Sequence, residues 1–171
     1  MRIREATYSD IDTIEALYRA ARDYFADAGI DQWQVGGPDA ETAFADVEDG
    51  ILYVVVDEVG AVEGVFACDF AGEPVYDRIT GGAWLSDGEY AALHRVAVAP
   101  ACKGRGIAGE MVAFAQARCR ESGVEALRAD THAQNRSMRR MLEKNGFVFC
   151  GTVRYPVDGD RVCYEKILEK E

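Results

Sequence analysis

Along the chain the spacing of apolar positions switches between a period of two and a period near 3.6, and these switches mark out the elements. Met1–Ala6 alternates, with Ile3 inward, and predicts a short opening strand. Ile11, Ile14, Leu17, Ala21 and Tyr24 fall on one helical face and predict a helix over 9–27. Ser9-Asp-Ile-Asp12 would start it as a capping box with Asp in the place of Glu, and Gly29 would end it. A loop over 28–39 carries Asp31-Gln-Trp-Gln34 and Gly36-Gly-Pro38, after which Asp39 can cap a second short helix to about Asp49, closed by Gly50. Ile51–Val56 and Val62–Phe70 are β-rich runs joined across Asp57-Glu-Val-Gly60, a hairpin signal. Gly72–Glu89 is polar and turn-rich, with Trp84 in its middle.

Tyr90–Val98 predicts the next strand, and Arg105–Glu121 a helix with Ile107, Met111, Phe114, Ala115 and Arg118 along one side, ended by Gly123. Val124–Thr131 reads as a strand, Asn135–Lys144 as a helix, and Gly146–Thr152 and Val162–Leu168 as closing strands. The order β-α-α-β-β-β-α-β-α-β-β contains no repeat, low-complexity tract or linker. It predicts an α+β (α/β) fold, a mixed sheet with helices on its faces, and at 171 residues a single domain over 1–171.

Composition narrows the partners. With 49% hydrophobic and 29% charged residues the chain reads as globular. It has no run of about 18 apolar residues, so no membrane span is expected. Met1-Arg-Ile-Arg-Glu5 leads straight into patterned sequence, which leaves no room for a signal peptide and makes the cytoplasm the expected compartment. A net charge of −11 argues against nucleic acid. It favours a cationic partner such as an amine, or serves solubility alone. Five cysteines without a C-x-x-C pair suggest neither a disulfide framework nor a metal site. Cys68, Cys150 and Cys163 lie in apolar strand-like runs and are expected to pack as small hydrophobes, with Cys102 exposed in a loop.

The chemistry concentrates in residues 93–112. A strand stopped by Pro100 runs into a glycine-rich loop and then an amphipathic helix. Such a loop points consecutive N–H groups at one spot, where the helix N-terminus adds partial positive charge, and so makes an anion site suited to phosphate or pyrophosphate. Gly104-Arg-Gly106-Ile-Ala-Gly109 is formally the G-x-G-x-x-G of dinucleotide-binding folds, with Asp130 near the place of a ribose-binding acid. Against that reading, Ala99 to Lys103 separate strand from first glycine, about 60 residues follow Gly109, and the chain does not open β-α-β. No Gly-Lys-Ser/Thr follows, which excludes a Walker loop.

Lys103-Gly-Arg-Gly-Ile-Ala108 resembles the signature loop of the GNAT N-acetyltransferase superfamily, Gln/Arg-x-x-Gly-x-Gly/Ala, with Gly106 and Ala108 in the small positions. His94-Arg-Val-Ala-Val-Ala-Pro100 resembles that family's pyrophosphate-side strand. Asp130-Thr-His-Ala-Gln-Asn135 and Leu142-Glu-Lys-Asn-Gly-Phe147 resemble its later strand, its Asn and its closing Gly-Phe. The resemblance implies a mostly antiparallel sheet with a splayed central strand pair, and acetyl-CoA as cosubstrate. It implies contacts from Val96, Ala97, Val98, Lys103, Gly104, Arg105, Gly106, Ile107, Ala108 and Asn135 to the coenzyme. The pantetheine arm would pair with free backbone groups of Val96 and Val98, and a homodimer is compatible with the family.

The implied reaction is direct attack of a primary amine, of a small molecule or a protein N-terminus or Lys, on the acetyl thioester within a ternary complex. That chemistry needs a base, an oxyanion donor and an acid for the thiolate. His94, with the strand parity of Val96 and Val98, is the candidate base or else a structural histidine, and Asp130 is a remoter candidate. The family's usual acid, a Tyr four residues before the Gly of Gly-Phe, is replaced by Leu142, leaving Tyr155 or Tyr164 to act, or water. Leu142 also motivates an alternative, an acyl-CoA-binding sensor or regulator with little turnover. Trp33 and Gln34 occupy the region that lines the acceptor in this family, and His132 is a weaker candidate there; Trp84 is placed by no motif.

Overall fold

A computed structural model describes residues 1–169, so the last two residues of the expected 1–171 domain lie outside the described residues. Seven strands, β1 (Arg2–Glu5), β2 (Leu52–Val56), β3 (Val62–Asp69), β4 (Ala91–Val98), β5 (Ala126–Thr131), β6 (Val148–Tyr155) and β7 (Gly159–Ile167), form one sheet in the order β1-β2-β3-β4-β5-β7-β6. Between them run the helices α1 (Ile11–Asp27), α2 (Ala40–Glu48), α3 (Ile107–Glu121) and α4 (Arg136–Lys144). Every strand pairing is antiparallel except that of β4 with β5. That parallel pair is joined only at Ala91↔Leu127 and Ala92↔Arg128 and then parts, which gives the expected splay.

The sheet buries both faces. On one, Tyr53, Val55, Phe66, Cys68, Ala91 and Leu93 pack against Ile107, Met111, Ala115 and Leu142 of α3 and α4. On the other, Leu52, Val54, Val56, Val65 and Ala67 pack beneath Ile14, Leu17 and Tyr18 of α1 and Ala43 of α2. This is why Leu52–Val56 is a continuous apolar run rather than an alternating one. Beyond β4 the second face is covered by the segment 70–90 instead, through Tyr76, Trp84 and Tyr90 over Ala92, Val153 and Cys163.

The structure shifts several expected details. The 310 turn Tyr8–Asp10 precedes α1, and the start of the helix is organised around Thr7, whose N–H donates to the Asp10 carboxylate at 2.8 Å, rather than around Ser9 and Asp12. Tyr18 and Phe25, not Tyr24, complete the buried face of α1, because Trp33 folds back and packs edge-on against both rings. On α3, Val112 and Cys119 join the buried stripe. Strand β6 runs past Thr152 to Tyr155 and β7 begins at Gly159, since the two pair down to Tyr155↔Gly159 in a tight hairpin. All five cysteines are free; Cys102 is half-buried rather than exposed, its Sγ 3.6 Å from Glu63 Oε1.

Candidate active site

Strand β4 reaches Pro100 and passes through the short turn Pro100–Cys102 before the glycine loop, so the tight strand-to-glycine turn of a dinucleotide fold is absent. Gly104 and Gly106 adopt φ of 80° and 78°. A Cβ at either would meet nothing within 4 Å, so glycine is demanded by the backbone conformation and the outer side of the loop is open. Gly109, inside α3, has no such need: a Cβ there meets only the Asn145 side chain at 3.7 Å. Among the described residues the N–H groups of Lys103, Gly104, Arg105 and Gly106 have no acceptor, and those of the first turn of α3 are free by helix geometry. The loop therefore presents a row of unpaired donors at a helix N-terminus, the arrangement that holds a pyrophosphate.

The two side chains expected to add charge there are drawn onto protein partners. Arg105 donates to Glu63 Oε1 at 2.7 Å, and Lys103 Nζ stands 4.3 Å from the centre of the Tyr24 ring. What the loop presents without protein partners is its backbone donors and the helix end. Ile107 is buried on the inner face of α3, and Val96 and Val98 pack against the same core.

A bulge in β4 decides where His94 points. Ala97 pairs with Val65 and His94 with Ala67, so β4 spends one extra residue across that interval, and Arg95 adopts φ 52°. Without the bulge, His94 would share a face with Val96 and Val98, as simple alternation predicts. With it, His94 faces the opposite side of the sheet, with Ala92 and Ala97. A left-handed conformation at a non-glycine residue costs on the order of 1–3 kcal/mol. The bidentate pair that Arg95 makes with Asp46 of α2, at 2.7 and 2.9 Å, holds it in place.

His94 opens into a cavity of about 270 Å³ between the covering by α1 and α2 and the covering by segment 70–90. Phe25, Trp33, Leu93 and Met138 supply its apolar wall; Glu73, His94, Asp130, Tyr155, Asp158 and Arg161 supply polar groups. The His94 side chain is 12% exposed, its Nε2 lies 3.8 Å from Glu73 Oε2, and it makes no hydrogen bond among the described residues. Burial holds its pKa below the usual imidazole value; Arg95 adds to this, and Asp130, Glu73 and Asp69 oppose it. The imidazole is therefore neutral at neutral pH. Asp130 Oδ2 accepts from Tyr76 at 2.7 Å and Tyr155 at 2.9 Å. Burial, and then Asp130, push the Tyr155 hydroxyl well above an ordinary phenol. Tyr164 lies elsewhere, fully buried, taking a bond from Arg139 and giving one to Glu143. Leu142 is fully buried in the α3 and α4 core.

Trp33 lines the cavity, but Gln34 does not: it is exposed, its amide spent on Arg22 and Gln32 carbonyls. Gln32 is the buried residue. Its Oε1 accepts from Thr131 Oγ1, His132 N and Asn135 Nδ2 at 3.2–3.3 Å, which ties the 28–39 loop to the end of β5. Asn135 also caps α4 through Met138 N, so both ends of its amide are engaged within the protein, although it borders the cavity. His132 is outside the lining; its Nδ1 accepts from Gln134 N. Trp84 is not at the cavity either, but lies over the Arg128 guanidinium. Gln32, Glu73, Asp158 and Arg161 were not singled out by sequence reasoning. The polar tract 72–89 carried no motif, and the other three reach the cavity only through tertiary contacts. Among the described residues no helix is long and apolar enough to cross a membrane, and no group of three His, Cys, Asp or Glu is placed to hold a metal.

Comparison with known proteins agrees with this geometry. Residues 14–147 match the model of the acetyltransferase (GNAT) family. A GNAT-family acetyltransferase from Streptococcus agalactiae is 35% identical, with a TM-score of 0.87 over 99% of this chain and 96% of that one. A ribosomal-protein-alanine N-acetyltransferase from Brucella melitensis is 25% identical, TM-score 0.70, over 98% and 100% of the two chains. A phosphinothricin acetyltransferase from Sinorhizobium meliloti, solved with acetyl-CoA, shares the fold at 19% identity, TM-score 0.71, over 98% and 88%. A sequence search of curated proteins finds no match. With a splayed β4–β5 pair, an open glycine loop at the start of α3 and a family match over most of its length, this chain belongs to the GNAT acetyltransferase family.

Proposed function

We propose that this protein transfers the acetyl group of acetyl-CoA to a primary amine by direct attack in the cavity beside His94. The observation that carries the reading is the row of unpaired N–H groups from Lys103 to the first turn of α3, leading to a strand gap that opens at a neutral histidine. The loop fits a pyrophosphate because Gly104 and Gly106 leave its outer side open. Backbone groups of β4 beyond Ala92, unpaired by β5, are available to the pantetheine arm. Acetyl-CoA supplies an activated thioester.

His94 takes a proton from the incoming ammonium, directly or through water, freeing the lone pair for attack on the carbonyl carbon. The N–C bond forms and the C–S bond breaks. Of the two protons the nitrogen sheds, one leaves through His94 and one ends on sulfur. Tyr155 lines the cavity, but its hydroxyl donates to Asp130 and its pKa is raised, so it gives that proton up reluctantly. A thiolate, with a pKa near ~8.5 for a simple thiol, leaves readily and is protonated by water in the open cavity.

Calorimetric titration with acetyl-CoA, followed by thiol release across a panel of primary amines, tests the reading. Saturable binding and amine-dependent release are expected, whereas no heat at millimolar acetyl-CoA overturns it. Gly106→Ala should weaken acetyl-CoA about tenfold and lower stability by about 1 kcal/mol, because alanine resists a positive φ and its methyl fills the open side. Unchanged affinity would remove the loop from the site.

A further inference from the structure

Strands β4 and β5 part immediately after Ala92↔Arg128. His94 and Asp130 each lie two residues further on, and so stand opposite one another across the mouth of the splay, both lining the cavity. Tyr76 and Tyr155 both donate to Asp130 Oδ2, which fixes the carboxylate and leaves Oδ1 without a hydrogen-bond partner among the described residues. A second carboxylate, Glu73, approaches from segment 70–90. Its Oε1 caps Val75 N, the Tyr90 hydroxyl accepts from its own N–H, and its Oε2 is aimed at His94. The other charges that line the cavity are already matched: Arg95 is held bidentately by Asp46, and Arg161 pairs with Asp158, whose Oδ1 also accepts from Trp33 N. The unmatched charge facing the cavity is therefore negative, and it comes from both β5 and the segment 70–90 that meet at His94.

On the reading of this cavity as the acetyl-transfer site, we propose that Asp130 and Glu73 seat the acceptor as its ammonium form. The acceptor is then an alkylamine or peptide N-terminus whose α-carbon bears no carboxylate. Two fixed anions beside the ammonium attract it electrostatically and repel a carboxylate one carbon away. Among the described residues no unengaged guanidinium lines the cavity to receive such a carboxylate. Asp130, anchored by two tyrosines, positions the nitrogen, and His94 takes the proton.

The test uses alanine and alaninamide, which differ in whether that carboxylate is free, with saturating acetyl-CoA. The wild-type protein should favour alaninamide at least tenfold in kcat/KM; a preference for alanine overturns the proposal. Asp130→Asn should raise KM for alaninamide about tenfold with a smaller change in kcat, lower the His94 imidazole pKa seen by NMR, and leave acetyl-CoA affinity by calorimetry intact. An unchanged KM in a variant with a native thermal transition also overturns it. If Asp130→Asn folds poorly, Glu73→Gln, which keeps the cap on Val75, should raise KM in the same direction, and no change counts against the seat. Acetyl-CoA binding without turnover of either compound or of any other amine would fail the acetyl-transfer reading itself, an outcome distinct from turnover with the opposite preference.

Discussion

His94→Gln lowers kcat/KM by about 10²–10⁴-fold, the range typical of a lost general base, and removes the acid limb of the pH profile. In the wild-type protein the limb has a defined sign. Burial holds the His94 pKa below 6.5, so the base of the proposed mechanism is neutral at neutral pH, and activity is expected to fall only as pH drops through that lowered value. Glutamine approximates the shape and keeps an amide where the imidazole was, yet it cannot take a proton in this range. Glu73, Asp69, Arg95 and Asp130 all act on His94, so the limb should also move when Asp130 is neutralised. Steady-state rates from pH 5 to 9, with acetyl-CoA affinity measured alongside, check this. A Gln variant with the wild-type profile would return His94 to a packing role.

Arg128→Met lowers stability by about 3–5 kcal/mol, because it leaves half of a buried ion pair uncompensated. Arg128 donates to Glu165 Oε2 at 2.5 Å; their side chains are 6% and 0% exposed. The guanidinium is further held between the Trp84 and Tyr90 rings, 4.3 and 4.0 Å from their centres, and donates to Ser86 O. Glu165 in turn accepts from Leu85 N, Ser86 N and Ser86 Oγ. This cluster fastens segment 70–90 to β5 and β7, and that segment carries Glu73 to His94. Thermal melting should show a fall on the order of 10 °C for a domain of this size. The double variant Arg128→Met/Glu165→Met should recover part of it, since no buried charge is then left alone. A single variant that melts like wild type would show that the cluster is ornamental to the fold.

Much of the architecture was legible in the chain. Asp39 caps α2 where its position before an apolar run suggested, and the order of strands and helices follows the changes of period. Errors arose where a neighbour distant in sequence decided the outcome. Tyr24 and Phe25 are adjacent aromatics on α1, and only the returning Trp33 selects Phe25 for burial. Gln32 and Gln34 flank the same Trp33, and only the donors at the end of β5 select Gln32.

The sequence by itself determined the glycine loop between β4 and α3, where the proposed coenzyme site lies. A glycine loop at a strand–helix junction works through backbone N–H groups and left-handed φ values, and both are set by local residue types, so a short motif suffices to reveal it. The cavity proposed for the acceptor was decided by tertiary structure. The face on which His94 lies depends on a one-residue bulge at Arg95, a residue with no intrinsic preference for φ 52°, held there by Asp46 from another helix. Asp130 gains a fixed orientation from Tyr76 and Tyr155, which are 54 and 25 residues away in the chain. Long-range contacts of that kind leave no periodic trace, so the arrangement around His94 and Asp130 became readable only once the sheet had assembled.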